Sequence, residues 1–453
     1  MKLLPLIVAG LTLLSAIVQV VKDPELTTQS LPTSRISYPE GEARGVIVLL
    51  SGGQGWSGND ERSTEKLTAE GAIVIGVDLP AYYARLEEQK GDCLYLVSDI
   101  EDLSRQLHRQ ADIVGYHPPI VAGIGEGATL ALAIAAQTPN STISATVAVD
   151  PDAVIPLSTV LCTPAKKVPV AGGIIYGLTA GDLPNPVQVL FSNRADALGR
   201  RHAEQLRQGH PAVELAEAPG DPDTVLFQHL SAQLRKLERS TSSLNLPIVP
   251  IDAVARHNAM AVVYSGDGGW RDIDQKLAAY LKEDGIPVVG VDALRYFWNE
   301  KTPEETAQDL SRMIATYRQR WKVGHVILIG YSFGANILPA TYRRLPETDR
   351  QAVSLISLLA LSHQADFEID VSGWLGFAGA GKYGDPIEDL REIEPRKIQC
   401  IYGLAEEDSA CPQVEEIRGA EVQSRQGGHH FDGDYRALNR LIVERMKAVM
   451  ASH

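Results

Sequence analysis

The chain has 453 residues, of which 44% are hydrophobic, and its 57 acidic and 42 basic residues give a formal net charge of −15. This length is sufficient for two or three domains with cores of their own. The acidic balance argues against a nucleic-acid-binding surface, which needs clustered lysine and arginine. Glycine and proline contents are near average and exclude collagen-like and disordered classes.

Residues 1–22 are typical of an export signal or an amino-terminal anchor. Lys2 precedes an apolar run from Leu3 to Val21, which is the order found in secretory signals. Cleavage is expected between Ala16 and Gln19, and the alternative is an uncleaved anchor, because a run of about nineteen residues is nearly long enough to span a bilayer. The remainder is expected to be soluble in the periplasm.

The cysteines also indicate a compartment outside the cytoplasm. There are four of them, namely Cys93, Cys162, Cys400 and Cys411, a number that fits disulfides in an oxidising environment. Three pairings are open, and a bond between Cys400 and Cys411 would close a short loop. No C-x-x-C or H-x-x-x-H spacing accompanies them, so metal ligation is the weaker interpretation. We expect neither a metal nor a cofactor.

The chain contains an internal duplication. Three pairs of segments match in the same order: GVIVLLSGGQGWSGND (45–60) with MAVVYSGDGGWRDID (260–274), GAIVIGVDLPAYY (71–83) with GIPVVGVDALRYF (285–297), and IVAGIGEGATLALAIA (120–135) with ILIGYSFGANILPATY (327–342). Chance does not readily produce three ordered matches. The sequence therefore predicts two copies of one domain.

Each copy alternates short runs rich in Val and Ile with segments of helical spacing. That alternation predicts an α/β fold in which a mostly parallel, doubly wound sheet is covered by helices on both faces. We place the two domains at 36–238 and 258–453. The residues between them, 239–257, are rich in Ser, Thr and Pro and are predicted to form a linker.

In the second copy, Gly330-Tyr331-Ser332-Phe333-Gly334 fits G-x-S-x-G between a predicted strand and a predicted helix. In that context the serine occupies a strained turn, and the flanking glycines remove side chains that would collide with neighbouring backbone. Ser332 is therefore predicted to be a nucleophile. The alternative is a small residue at a structural turn.

A serine nucleophile needs a base and an acid that orients the base, in the chain order serine, acid, histidine. Asp408 is the preferred acid because it follows the predicted strand 398–402, and Glu406 and Glu407 are the alternatives. His429 is the preferred base because it follows Gly-Gly ahead of the last helix. His430 is the alternative.

The backbone N–H of Phe333 is expected to form one half of an oxyanion hole. The loop SGDGGW (265–270) follows the first strong strand of this copy and would supply the second donor from Gly266 or Asp267. A simple Gly-rich turn is an equally good interpretation of that loop.

The first copy carries Gly125 where the second carries Ser332, and its closing segment APGDPDTVLFQHL has no histidine at the matching position. This copy is therefore predicted to be a folded but catalytically silent domain. We expect it to brace the second domain or to help present substrate.

The segments GYSFGA, SGDGGW and GGHHFDGDY, together with export and duplication, resemble the bacterial AcvB/VirJ family of virulence-associated periplasmic proteins. The resemblance covers nearly the whole chain and is closer to the two-copy AcvB-like members. It implies an α/β-hydrolase fold, with the family's serine at Ser332. For AcvB-like members it also implies hydrolysis of lysyl-phosphatidylglycerol, an aminoacylated phospholipid, in the periplasmic leaflet.

Such a substrate would bring a cationic acyl group and a membrane surface. The acidic residues expected near the site are Asp267, Asp292, Glu406, Glu407 and Asp432, each of which could equally be an ordinary surface acid. In the apolar loop SGWLGFAGAGKYG (372–384), Trp374 and Phe377 are expected to contact the membrane interface or else to cover the domain's own core. Two other functions stay open: a non-catalytic scaffold acting with secretion-system proteins, and an esterase for another aminoacyl lipid.

Overall fold

The structure is a computed structural model that describes residues 26–113, 115–239, 244–369 and 381–451. The predicted export segment at 1–22 lies outside these residues. Among the residues that are described, none of the helices combines the length and the apolar character needed to cross a bilayer.

The first domain is built from strands β1 to β9 and helices α1 to α6. The strands are β1 (Ile36–Ser37), β2 (Gly45–Leu50), β3 (Ala72–Val77), β4 (Ile120–Ile124), β5 (Ala145–Val149), β6 (Lys167–Val170), β7 (Gly173–Tyr176), β8 (Val187–Phe191) and β9 (Glu214–Glu217). The helices are α1 (Gly58–Ala69), α2 (Leu79–Glu87), α3 (Val97–Gln110), α4 (Glu126–Ala135), α5 (Ala197–Gly209) and α6 (Pro222–Arg239).

The second domain continues with strands β10 to β16 and helices α7 to α14. The strands are β10 (Ile248–Ile251), β11 (Ala259–Tyr264), β12 (Val288–Val291), β13 (His325–Tyr331), β14 (Val353–Leu359), β15 (Ile398–Gly403) and β16 (Glu421–Arg425). The helices are α7 (Ile273–Glu283), α8 (Ala293–Tyr296), α9 (Pro303–Trp321), α10 (Phe333–Arg343), α11 (Glu347–Ala352), α12 (Pro386–Leu390), α13 (Cys411–Val414) and α14 (Tyr435–Ala451).

The two main sheets have the same topology. The first runs β1-β3-β2-β4-β5-β8-β9 and the second β10-β12-β11-β13-β14-β15-β16. In each, the first strand is antiparallel to its neighbour and the remaining pairs are parallel. The hairpin β6-β7 is an insertion in the first domain. The predicted fold class, two tandem α/β domains with mostly parallel doubly wound sheets, is confirmed.

The predicted linker at 239–257 was too long at both ends. Helix α6 extends through Arg239, and β10 pairs with β12 at the edge of the second sheet, Ile248 opposite Val291 and Ile251 opposite Val288. The proline content that suggested a linker is compatible with this strand, because an edge strand tolerates a residue without an N–H.

The cores lie on both faces of each sheet, as the unbroken apolar strands require. Strand β11 is buried along its whole length. In each domain a tryptophan from the loop after the first parallel strand packs on a glycine of the neighbouring strand. A Cβ on Gly76 would lie 2.5 Å from Trp56, and one on Gly290 would lie 2.3 Å from Trp270. The repeated G-W pattern is therefore a packing device common to both copies.

Two disulfides join the cysteines, Cys93 to Cys162 and Cys400 to Cys411. The second joins β15 to α13 and closes the loop between them, which is the short loop considered from the sequence. That loop contains the acidic residues predicted to orient the catalytic base.

Candidate active site

Ser332 lies at the turn between β13 and α10 and has φ 52° and ψ −116°. This left-handed conformation is costly for a residue with a side chain and is found where the surrounding structure enforces it. A Cβ on Gly330 would lie 2.4 Å from the carbonyl oxygen of Gly334, and one on Gly334 would lie 2.3 Å from that of Tyr264. The G-x-S-x-G spacing follows from these two close approaches.

His429 lies beside the serine. Its Nε2 is 2.9 Å from Ser332 Oγ, and its Nδ1 is 2.6 Å from Glu406 Oε1. An ionised carboxylate only accepts hydrogen bonds, so Nδ1 carries the proton and Nε2 of the neutral ring accepts from the serine hydroxyl. A serine, a histidine and a carboxylate in this order of contacts form the arrangement that activates a serine nucleophile.

The acid in this arrangement is Glu406, whereas Asp408 was preferred from the sequence. The chain after β15 turns immediately: Glu406 N–H donates to the Gly403 carbonyl (3.0 Å), and Ala405 N–H donates to the carbonyl of Gly427 (2.9 Å) in the histidine loop. These bonds bring Glu406 against His429, and Glu406 has only 13% of its side chain exposed. Asp408, beyond the turn, is exposed to solvent.

His430 makes a different contact. Its Nδ1 lies 3.2 Å from the hydroxyl of Tyr331, which is also 3.3 Å from the carbonyl oxygen of His429. Burial raises the pKa of Tyr331, so the phenol keeps its proton. Tyr331 and His430 therefore hold the backbone that carries His429, and the structure brings His429 rather than His430 to the serine.

The two regions predicted to form an oxyanion hole flank the serine. Phe333 is the first residue of α10, and a first-turn N–H has no acceptor within its own helix and lies at the positive end of the helix dipole. Gly266 follows β11, and a Cβ there would lie 3.6 Å from the Cβ of Ser332. The oxyanion loop, residues 265–270, is thus positioned beside the nucleophile.

The oxyanion loop is held through hydrogen bonds to backbone N–H groups by Ser265 and Asp292. Ser265 Oγ accepts from the N–H of Ala293 (2.9 Å), and Asp292 accepts from the N–H of Arg295 (3.2 Å). Burial raises the pKa of Asp292, which also accepts from the backbone of Trp270. Asp292, predicted as a substrate-binding residue, is instead buried beneath the oxyanion loop and anchors it.

A cleft of about 300 Å³ opens above the serine. It is bounded by Ser332 and His429, by the loop 266–269 and by the start of α7. Asp272 and Asp274 line this end of the cleft. Neither was singled out from the sequence, although the repeat would have marked Asp274, which matches Asp60 of the first copy.

The other predicted substrate-binding residues differ in their position relative to the cleft. Asp267 lines the cleft, Glu407 is exposed, and Asp432 lies within the histidine loop with φ 51°. Trp374 and Phe377 lie outside the described residues. Within the part of the chain that the structure describes, no group of three or more His, Cys, Asp or Glu side chains could hold a metal ion.

The first domain keeps the backbone of the serine turn without its hydroxyl. Gly125 has φ 59° and ψ −120°, within a few degrees of Ser332. A Cβ on Gly127 would lie 2.4 Å from the carbonyl oxygen of Leu50, as Gly334 does against Tyr264. The strand-turn-helix geometry is therefore a property of the fold, and the nucleophile is present in the second copy.

Comparison with known protein families gives a match within the second domain. Residues 258–450 match the model of the bacterial virulence protein VirJ. No curated protein sequence matches the chain.

Similar solved structures each align with under half of the chain. They include Est1E from Butyrivibrio proteoclasticus with bound ferulic acid (10% identity, 45% of this chain and 96% of that one, TM-score 0.33). A lipase-esterase related protein from Clostridium acetobutylicum is 16% identical over 44% of this chain and 98% of that one, with a TM-score of 0.33. The type II thioesterase YbtT of the yersiniabactin pathway is 14% identical over 45% and 99%, with a TM-score of 0.31.

Proposed function

Because residues 258–450 match the model of the bacterial virulence protein VirJ, we propose that this chain is a periplasmic serine esterase that releases the aminoacyl group of lysyl-phosphatidylglycerol. The observation that carries the proposal is the contact series from Ser332 Oγ through His429 to Glu406, at 2.9 and 2.6 Å. The first domain, with glycine at the matching turn, takes no part in the bond-making steps.

In the first step Ser332 Oγ attacks the ester carbonyl while its proton passes to His429 Nε2. Glu406 stabilises the imidazolium that forms. The carbonyl oxygen becomes an oxyanion that accepts from the N–H groups of Phe333 and the oxyanion loop. Collapse of this intermediate breaks the ester bond, and His429 donates its proton to the departing glycerol oxygen of phosphatidylglycerol.

The second step releases lysine from the lysyl-enzyme. His429, neutral again, takes a proton from water as the water oxygen attacks the acyl carbon. The second tetrahedral intermediate then expels Ser332 Oγ, which regains the proton from His429. The reaction consumes one water and yields lysine and phosphatidylglycerol, and it uses only groups of this chain.

The lipid substrate is supported by the family resemblance and by the acidic cleft. Asp267 and Asp272 line it beside Arg271, and these two carboxylates would favour a cationic acyl group over a neutral one. Contact with the membrane surface is proposed from the sequence alone, at Trp374 and Phe377. Replacing both by serine is expected to weaken liposome binding without slowing turnover of a soluble aminoacyl ester, and unchanged liposome binding would refute that contact.

The decisive experiment incubates the protein with liposomes containing lysyl- or alanyl-phosphatidylglycerol and measures released amino acid. Ser332→Ala is expected to abolish release, whereas Ser424→Ala, an exposed serine in the same domain, is expected to retain it. Release from the alanyl lipid alone would indicate an esterase for another aminoacyl lipid. If the folded Ser332→Ala protein replaces the wild type fully in the bacterium, a non-catalytic scaffold would be favoured instead.

A further inference from the structure

The oxyanion loop is bonded to the first domain at its carboxyl end. Ser141 Oγ donates to the carbonyl oxygen of Trp270 (2.8 Å). The next residue, Arg271, reaches Thr142 Oγ1 (3.0 Å) and Glu101 Oε1 (3.2 Å) with its Nη1. Both members of the ion pair are largely buried, with 19% and 14% of their side chains exposed. The catalytic domain thus places an arginine directly after this loop and directs it into the silent domain.

The matching position in the first domain has a different function. Ser57 corresponds to Arg271, and it caps α1 through a capping box with Asp60. Asp60 Oδ2 accepts from both the N–H (2.8 Å) and the hydroxyl (2.6 Å) of Ser57. The loop of the silent domain is therefore fixed by its own helix, since the serine and the acid satisfy each other.

The catalytic domain keeps only part of this local cap: Asp274 still accepts from the backbone N–H of Arg271, but residue 271 has no hydroxyl to donate. The N-cap residue of α7 is Asp272, which has φ 41° and no side-chain capping bond in the described structure. Asp274, the counterpart of Asp60, is only 3% exposed, and its Oδ1 has no hydrogen-bond partner among the described residues. An arginine in place of serine has removed the hydroxyl that this carboxyl would bind. The helix start has lost a stabilising contact, and the loop has gained one from the other domain.

The arginine also lies against the loop itself. A Cβ on Gly268 would lie 2.6 Å from Arg271 Nη2, so the guanidinium crosses the backbone of the loop at the one residue type that leaves room for it. Movement of the arginine would therefore release the loop backbone at Gly268, whereas the Trp270 carbonyl keeps its bonds to Ser141 and Gln275.

From this exchange of a local cap for an interdomain contact, we propose that the silent first domain positions the oxyanion loop of the second through Arg271, held by Glu101 and Thr142. Arg271 also borders the cleft above Ser332, but its hydrogen bonds run to Thr142 and Glu101, and we assign it a positioning role. The inference rests on the proposed serine esterase for its catalytic consequence, but the conformational dependence of the loop on the first domain is a separate property that can be measured without turnover.

The test uses four full-length single-residue variants, of which the two at Arg271 differ by one hydroxyl. Arg271→Ala removes the interdomain contact and supplies no cap. Arg271→Ser removes the same contact but recreates the Ser57–Asp60 arrangement with Asp274. Glu101→Gln loosens the contact from the first domain and leaves Arg271 in place. Arg109→Gln is the matched control, because Arg109 contacts the second domain elsewhere, at Ile369 and Trp298.

Amide hydrogen exchange in residues 265–270 measures the opening of the oxyanion loop directly. We expect faster exchange in Arg271→Ala, smaller increases in Arg271→Ser and Glu101→Gln, and no change in Arg109→Gln. On a neutral chromogenic ester, kcat of Arg271→Ala should fall at least about tenfold with little change in KM, as when an oxyanion donor is misplaced. Arg271→Ser should recover part of that loss, and adding Glu101→Gln to it should cost nothing further.

Exchange at wild-type rates in both Arg271→Ala and Glu101→Gln would overturn the proposal. So would an equal effect of Arg109→Gln, because that would indicate general loss of domain docking. Absence of Ser332-dependent turnover in the wild type would refute the esterase and leave the exchange result to decide the loop.

Discussion

Exchanging the carboxylate of Glu406 for an amide distinguishes the acid found in the structure from the one preferred by sequence. In Glu406→Gln the side chain keeps its length and position, 2.6 Å from His429 Nδ1 in the wild type. An amide that turns its NH₂ toward Nδ1 favours the tautomer with the proton on Nε2. That nitrogen then cannot accept the proton of Ser332.

The expected loss can be scaled from this geometry. An amide that enforces the wrong tautomer in a serine triad lowers kcat by about 10⁴-fold, and the residual activity comes from the oxyanion hole and from binding. At about 1.4 kcal/mol per tenfold, this corresponds to roughly 4 to 5.5 kcal/mol for a loss of 10³- to 10⁴-fold. The burial of Glu406, with 13% exposed, leaves little room for water to replace the carboxylate.

The assay follows hydrolysis of a neutral chromogenic ester, with the rate expressed per mole of folded protein. Asp408→Asn is the matched control: Asp408 lies in the same loop, two residues away and exposed, and its change should alter kcat by no more than about twofold. A Glu406→Gln variant that retains a tenth of the activity, or an Asp408→Asn variant that loses as much as Glu406→Gln, would refute the assignment.

Two further predictions concern the scaffold. Replacing Cys400 and Cys411 by serine removes a disulfide of sequence separation 11, which should lower the free energy of unfolding by about 2–3 kcal/mol and lower kcat as the Glu406 loop loosens. Denaturant titration would measure the loss of stability, and an unchanged kcat would contradict the effect on the loop. Desolvation lowers the pKa of His108 from 6.5 to about 4, so the unfolded chain binds a proton through this window that the folded chain does not. Through His108 alone, acidification from pH 7 to 5 should therefore lower the free energy of unfolding by about 2 kcal/mol. A folded His108→Gln variant should lose about that much less over the same range, and an equally steep pH dependence of its stability would disprove this.

The sequence was sufficient for the duplication, the α/β class and the serine turn. Each rests on local physics: buried parallel strands are apolar throughout, and a strand-turn-helix with close backbone contacts admits only glycine at Gly330 and Gly334. The repeat added an internal comparison, since Gly125 occupies the same backbone conformation as Ser332. It also indicated that the first domain lacks the nucleophile.

Only the tertiary structure decided which carboxylate meets the histidine, how far the linker extends and what Arg271 contacts. Glu406 and Asp408 are two residues apart, and the choice between them depends on a turn whose bonds run to Gly403 and to the distant Gly427. From the sequence alone, Arg271 would be taken for an ordinary surface residue. Its contacts become visible only when the first domain is packed against it. Composition and spacing encode local conformation, whereas these contacts join segments far apart in the chain, and their partners are set by how the sheets and loops pack.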